Sequence, residues 1–184
     1  MSIVSNRHQN FIAGERNLIV SGQFTSVVAH QDKVYATRYD SDQTQVFQHN
    51  NRTSPRWRQL RSIDHDFETK GYTLTPSISN NQLKCCSAGD SVIKVYSLSG
   101  ELLQTYGTSG VGDAGQFICN DDDDGSVLIT DNDKLQVMSE QGEFSVLQLQ
   151  PPVSRPRSAV LFNNQLYVTA SPVLGEGSVY KYSC

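Results

Sequence analysis

Apolar and polar residues alternate along most of this chain in short runs, and no stretch sustains the three-to-four spacing of a long amphipathic helix. Phe24–His30, Lys33–Tyr39, Gln43–Gln48 and Trp57–Ile63 read as four strands. Asp32, Asp40, Asp42, Asn50 and Asn51 supply turn chemistry between them. The scheme repeats in Thr75–Ser79, Gln82–Cys86, Val92–Tyr96 and Glu101–Tyr106, and again in Gly115–Cys119, Val127–Thr130, Leu135–Met138 and Phe144–Leu149. A last group, Ser158–Phe162, Gln165–Thr169 and Ser178–Tyr182, is one strand short. Within this pattern one hairpin is written twice, as Ile93–Leu103 and as Leu135–Ser145. Each copy is an alternating run, a turn closed by Gly-Glu, and a second alternating run.

Two further phrases, Asn80-Asn81-Gln82-Leu83-Lys84-Cys85 and Asn163-Asn164-Gln165-Leu166-Tyr167-Val168, nearly coincide. Val34, Leu83, Val127 and Leu166 then become equivalent, which sets a period of 40-odd residues for a four-strand unit. That period predicts an all-β fold, a four-bladed β-propeller of four-stranded antiparallel blades. The blades span residues 22–70, 71–110, 111–152 and 153–184 of a single domain. A spare strand at residues 17–21, centred on Leu18–Val20, is expected to complete the last blade and close the ring, which favours a monomer. Completion of a larger ring by self-association is the competing arrangement.

Composition narrows the function. The net charge of −4 offers no general attraction to nucleic acid or to an anionic membrane. No window is apolar enough to span a bilayer, and the first residues carry no secretory core, so a cytoplasmic setting is expected. The four cysteines, Cys85, Cys86, Cys119 and Cys184, lack metal-ligand spacing, and adjacent Cys85 and Cys86 should point to opposite faces of a strand. They read as reduced, buried thiols.

Three constellations could carry chemistry. Asn120–Gly125 resembles the start of a calcium loop, which would engage Asp121, Asp122 and Asp124. Position one is Asn120, however, and the expected helix is replaced by the strand Val127–Thr130, so a hairpin turn is preferred. Arg52, Arg56, Arg58 and Arg61 surround Trp57, and Arg155 and Arg157 flank Pro156. Arginine beside an aromatic ring is the composition of a peptide or RNA contact. Alternation places Arg56, Arg58 and Leu60 on one side of their strand and Trp57 on the other. Of His8, His30, His49 and His65, only His30 falls at a strand end near the expected axis. No nucleophile elbow, zinc-protease helix or phosphate loop occurs, so an enzyme is not expected.

Gly107-x-x-Gly110-x-Gly112-x-x-Gly115-x-Phe117, the Asp-rich turn before Val127–Asp131, and the Leu135–Phe144 hairpin together resemble NHL repeats. These are the propeller repeats at the C-terminus of tripartite-motif ubiquitin ligases, and Val179–Tyr182 looks like a closing strand of such a domain. The family's proline after Gly-x-Phe is absent, six blades are its usual number, and the RING and B-box cysteines are missing. What the resemblance implies is the fold and a partner-binding face, without ligase activity. The expected function is a non-catalytic protein-binding module needing no cofactor and no metal. Its contacts would be Arg38, Tyr39, Arg56, Arg58, Arg155 and Arg157. RNA binding through the arginines, and a small-ligand or carbohydrate site, are the alternatives. Tyr39, Ser87, Asp131 and Ser171 do not match across units, which weighs against the carbohydrate site.

Overall fold

A computed structural model describes residues 23–38, 41–49, 57–67, 74–87, 90, 92–107, 117–120, 125–130, 134–162, 164–171 and 177–183. The described chain contains strands and no helix. They are β1 (Phe24–His30), β2 (Lys33–Arg38), β3 (Gln43–His49), β4 (Trp57–Asp64), β5 (Leu74–Ser79), β6 (Gln82–Ser87), β7 (Val92–Ser97) and β8 (Leu102–Gly107). Then follow β9 (Phe117–Asn120), β10 (Val127–Thr130), β11 (Leu135–Met138), β12 (Phe144–Val146), β13 (Pro156–Phe162), β14 (Gln165–Ala170) and β15 (Ser178–Ser183). They form four antiparallel meanders: β1–β4, β5–β8, β9–β12 and the three-stranded β13–β15. The strand expected at residues 17–21, Leu18 to Val20, lies outside the described residues.

The sheets stack in chain order. β1 abuts β5, β5 abuts β9 and β9 abuts β13, while the second strand of each sheet also touches the first strand of the next. Along each second strand, alternate residues therefore divide between two neighbours. Leu83 and Cys85 pack back against Tyr35, Val46 and Ile63 of the first sheet. Cys86 and Ile93 pack forward against Val127, Ile129 and Met138 of the third. Leu128 and Leu135 then meet Ala159, Leu166 and Val168 of the fourth. Cys85 and Cys86, both free and buried, lie in different clusters, as opposite faces of one strand require. Among the described residues no such packing joins the fourth sheet to the first.

The hairpin written twice in the sequence is built twice in the structure. Ser97 N–H donates to Glu101 O at 2.8 Å and Gly100 N–H to Ser97 O at 3.0 Å. Ser139 N–H donates to Glu143 O at 2.9 Å and Gly142 N–H to Ser139 O at 3.0 Å. In each copy the serine hydroxyl accepts from the glutamate N–H, at 3.0 Å for Glu101 and 3.1 Å for Glu143. The glycines occupy the left-handed region, at φ 98° and 85°, a conformation that costs an L side chain about 1–2 kcal/mol. Each glycine also presses on the outer strand of the preceding sheet. Gly100 faces Ile63, and Gly142 faces the Tyr106 ring so closely that a β-carbon there would overlap it. The repeat is thus a wedge set between consecutive sheets.

The two wedges differ in what a methyl group would meet. Gly100→Ala places its β-carbon 3.2 Å from Ile63 Cγ1, which can yield. Its cost is the left-handed penalty, about 1–2 kcal/mol. Gly142→Ala adds overpacking against an aromatic ring and costs about 1–3 kcal/mol more. Equilibrium urea unfolding of the two variants checks the order; equal losses would show that the Tyr106 contact constrains nothing.

Candidate binding surface

The connections define two ends of the stacked sheets. At one end lie the tight turns after β1, β5 and β13. Gln31, Asn80, Asn81 and Asn164 take positive φ of 54°, 48°, 56° and 56° there, and asparagine tolerates this region better than most residues. Side chains stitch this turn end together across sheets. His30 Nε2 lies 3.2 Å from Asn81 Oδ1, and Asn80 Nδ2 donates to Glu140 Oε1 at 2.6 Å. The buried Lys84 ammonium donates to Gly125 O at 2.7 Å. His30, singled out in the sequence as near the axis, therefore bridges two turns.

The opposite, crossover end carries the links from each sheet to the next. Arg38 ends β2 there, and Arg155 and Arg157 sit at the start of β13. Arg155 has φ 55° immediately before Pro156, where the proline ring pushes the preceding residue toward extended backbone. Ser171 N–H holds this conformation through the Arg155 carbonyl, at 3.4 Å. Both Arg155 and Arg157 are exposed, and neither side chain has an ion-pair or hydrogen-bond partner among the described residues. Arg58 lies at the other end, opposite Gln48, with its neighbour Trp57 half-buried and 4.9 Å from the His49 ring. The expected contacts thus divide between two ends. Tyr39, Arg56, Asp121, Asp122 and Asp124 lie outside the described residues.

A register shift between Val46 and Phe47 changes the arginine pattern further. Arg58 pairs with Gln48 but Arg61 pairs with Val46, so both face the second sheet. Arg61 Nη1 donates to Ser99 O at 3.1 Å in the repeated hairpin. It is a brace between sheets.

Sequence reading passed over His65, which the structure makes central. It follows β4 and is almost fully buried, with Nε2 2.8 Å from Thr44 Oγ1 and 3.8 Å from Cys85 Sγ. Thr44 in turn lies 3.3 Å from Thr37. The His65 carbonyl accepts from Tyr96 Oη at 2.8 Å and from Lys94 Nζ at 3.0 Å. Lys94 also lies 4.9 Å above the Phe67 ring. An imidazole beside a thiol suggests nucleophilic chemistry, but burial pushes the Cys85 thiol well above its usual range. Burial also lowers His65 to about 4, with Asp64 opposing the shift and Lys94 adding to it. Both groups are neutral and sealed, which makes this cluster a latch between the first two sheets. Only the short spacing from the strand end to Phe67 hints at it in the sequence.

No protein-family model and no curated protein matches the sequence. Solved structures do match in shape. A chain of hydrazine synthase from Kuenenia stuttgartiensis superposes with a TM-score of 0.67 at 11% identity, over 95% of this chain and 49% of that one. Streptogramin B lyase superposes with a TM-score of 0.56 at 15% identity, over 92% of this chain and 57% of that one. The computationally designed protein Ika4 gives 0.57 at 15% identity, over 92% of this chain and 99% of that one. The fold is propeller-like. At these identities the likeness speaks for the fold alone, in which each sheet is a blade. The chain spans about half the length of the first two of these proteins.

The latch carries an acid signature. The unfolded chain takes up a proton at His65 near its ordinary value of 6.5, the folded chain not until about 4. Stability from this group is therefore complete above pH 6.5 and falls as pH drops toward 4, by about 3 kcal/mol in all. Denaturant unfolding between those pH values should show this loss in the native protein and a clearly smaller one in His65→Gln. Parallel pH profiles would remove His65 from the account.

Proposed function

We propose that this chain is a non-catalytic binding module that engages a protein partner at the crossover end of its blades. The observation that carries the reading is Arg155. It is held left-handed before Pro156, with an exposed side chain that has no partner among the described residues. Backbone strain of this kind costs on the order of 1–3 kcal/mol and collects where a side chain must be presented in one direction. Arg157, two residues on, is exposed at the start of β13, and arginine is among the residues that dominate protein interfaces. The strands beneath give a rigid base, so that loop and strand-end residues select the partner. This is the role that the NHL resemblance implies for the partner-binding face of a propeller.

RNA binding is the second reading. It draws on the His49–Trp57 ring pair at the turn end, where a base could stack, with Arg58 next along β4 on the opposite face of the sheet.

The two readings use different residues and respond differently to salt. Cross-linking followed by mass spectrometry, with the native protein as bait at about 150 mM ionic strength, should place partner cross-links around the β13 start. Arg155→Glu with Arg157→Glu should remove them while leaving the folded spectrum intact. Retention of RNA that falls steeply with salt and disappears in Arg58→Glu, with no effect of the β13 changes, would overturn the protein-binding reading.

A further inference from the structure

Three of the four blades end in an outer strand that runs antiparallel to the third: β4 on β3, β8 on β7 and β12 on β11. In the fourth blade the described sheet stops at its third strand, β15. The consequence shows in exposure. In the first two blades the second residue of the third strand, Thr44 or Ile93, lies opposite an apolar outer-strand residue, Ile63 or Tyr106. The equivalent residue of β15 is Val179, which the pairing with Thr169 sets on the side away from the third blade. Thr44 is 0%, Ile93 1% and Val179 72% exposed. Lys181 shares the face of Val179, opposite Tyr167, and is exposed with no ion pair or hydrogen bond printed by its geometry among the described residues. The first blade has no such vacancy, since Val34, Ala36 and Phe47, on its side away from the second blade, are buried.

We propose that β15 takes an acidic, extended segment of the protein partner as the fourth strand of its blade, an inference that rests on the protein-binding reading above. An open strand edge offers unpaired backbone N–H and C=O groups, and strand addition is a common way of satisfying them. The other blades fix the direction: the added strand runs antiparallel to β15. They also fix its side chains. A large apolar residue belongs opposite Val179, as Ile63 and Tyr106 stand opposite Thr44 and Ile93. Two residues earlier in the segment, an acid belongs opposite Lys181, because opposite charges paired across strands stabilise a sheet. Ser178 starts β15 beside Ala170, which pairs with Pro156, so the segment leaves the sheet at the crossover end. There it passes about 14 Å, three strand spacings, from the start of β13, where Arg155 and Arg157 are exposed. The competing occupants fit less well. Residues 17–21 stand only two residues before β1, whereas nine residues, 65–73, 108–116 and 147–155, join each outer strand to the next first strand. The residues before β1 also hold Arg7 and Arg16 against Glu15 alone. A second copy of β15 brings no anion to Lys181.

The probe is a fluorescein-labelled synthetic peptide of about eight residues, alternating threonine and valine around a Glu-Thr-Phe core, with a scrambled peptide as control. Fluorescence anisotropy on the full chain under reducing conditions is expected to show saturable binding of the first peptide and none of the second. N-methylation of every second amide should abolish binding in one phase and spare it in the other, the mark of a strand ladder. Lys181→Glu, at an exposed position, should keep the native circular dichroism spectrum and bind about fivefold more weakly. A peptide with lysine in place of its glutamate should recover that loss. Absence of saturable binding overturns the proposal and means that the chain's own residues hold the edge. Binding indifferent both to N-methylation and to Lys181→Glu overturns it too. So does a free chain at twice 20.4 kDa by light scattering that the peptide splits, since a second copy then holds the edge. Partner cross-links around the β13 start that persist while the peptide fails to bind sink the strand addition alone and leave the protein-binding reading standing.

Discussion

A sheet with apolar side chains on both faces must be covered twice, and the rest of this structure depends on that constraint. The second blade illustrates it, with Leu83 and Cys85 on one side and Cys86 and Ile93 on the other. A lone sheet of this kind would expose one apolar face to water, and a two-layer sandwich would cover only one face of each member. Stacking successive sheets face to face covers every interior member on both sides. The repeated hairpins then fix spacing, since Gly100 and Gly142 admit the neighbouring outer strand to a distance that no side chain would permit. Apolar burial drives the stacking; the wedges set how near the sheets come.

The junctions are not equivalent in what specifies them. Between the first two blades the core includes Thr37, Thr44, His65 and Tyr96, tied through Nε2, hydroxyl and carbonyl groups. A buried polar network of this kind tolerates one register only, because a shift strands its donors and acceptors in an apolar interior. The later junctions are apolar at their centres and polar at their rims. Lys84 reaches Gly125 O at 2.7 Å, and Thr130 Oγ1 donates to the Arg157 carbonyl at 3.4 Å. Lys84 sits on a strand where alternation demands an inward residue, and its burial is tolerated because its ammonium reaches a backbone carbonyl.

Strands were legible in the sequence because a period of two survives in any one-sided environment, and the hairpin repeat was legible because its glycines and serines are required by geometry. β1 begins and ends where alternation places it, and the Ser97–Glu101 and Ser139–Glu143 turns share hydrogen bonds as they share letters. The arginines were less legible. The irregularity opposite Val46 and Phe47 turns Arg61 toward the second sheet, and a single extra residue in a strand leaves no mark on composition. His65 was illegible for a different reason. It lies beyond the strand end, where periodicity stops, and its role depends on Thr44 and Cys85, 21 and 20 residues away. Long-range polar partnership has no local signature. The candidate surface was half legible: the residue types stood out, but alternation could not say that Arg155 and Arg58 lie at opposite ends.

Placement of the arginines divides anchoring from display. Arg38 ends the second strand of the first blade, and Arg157 lies at the start of the first strand of the fourth, both at the crossover end. At the junction between the third and fourth blades, Thr130 near the end of β10 donates to the Arg157 carbonyl at the start of β13. That bond holds the Arg157 backbone against the third blade while its side chain stays exposed. The strand is thus anchored through its carbonyl, and the charge is left to solvent.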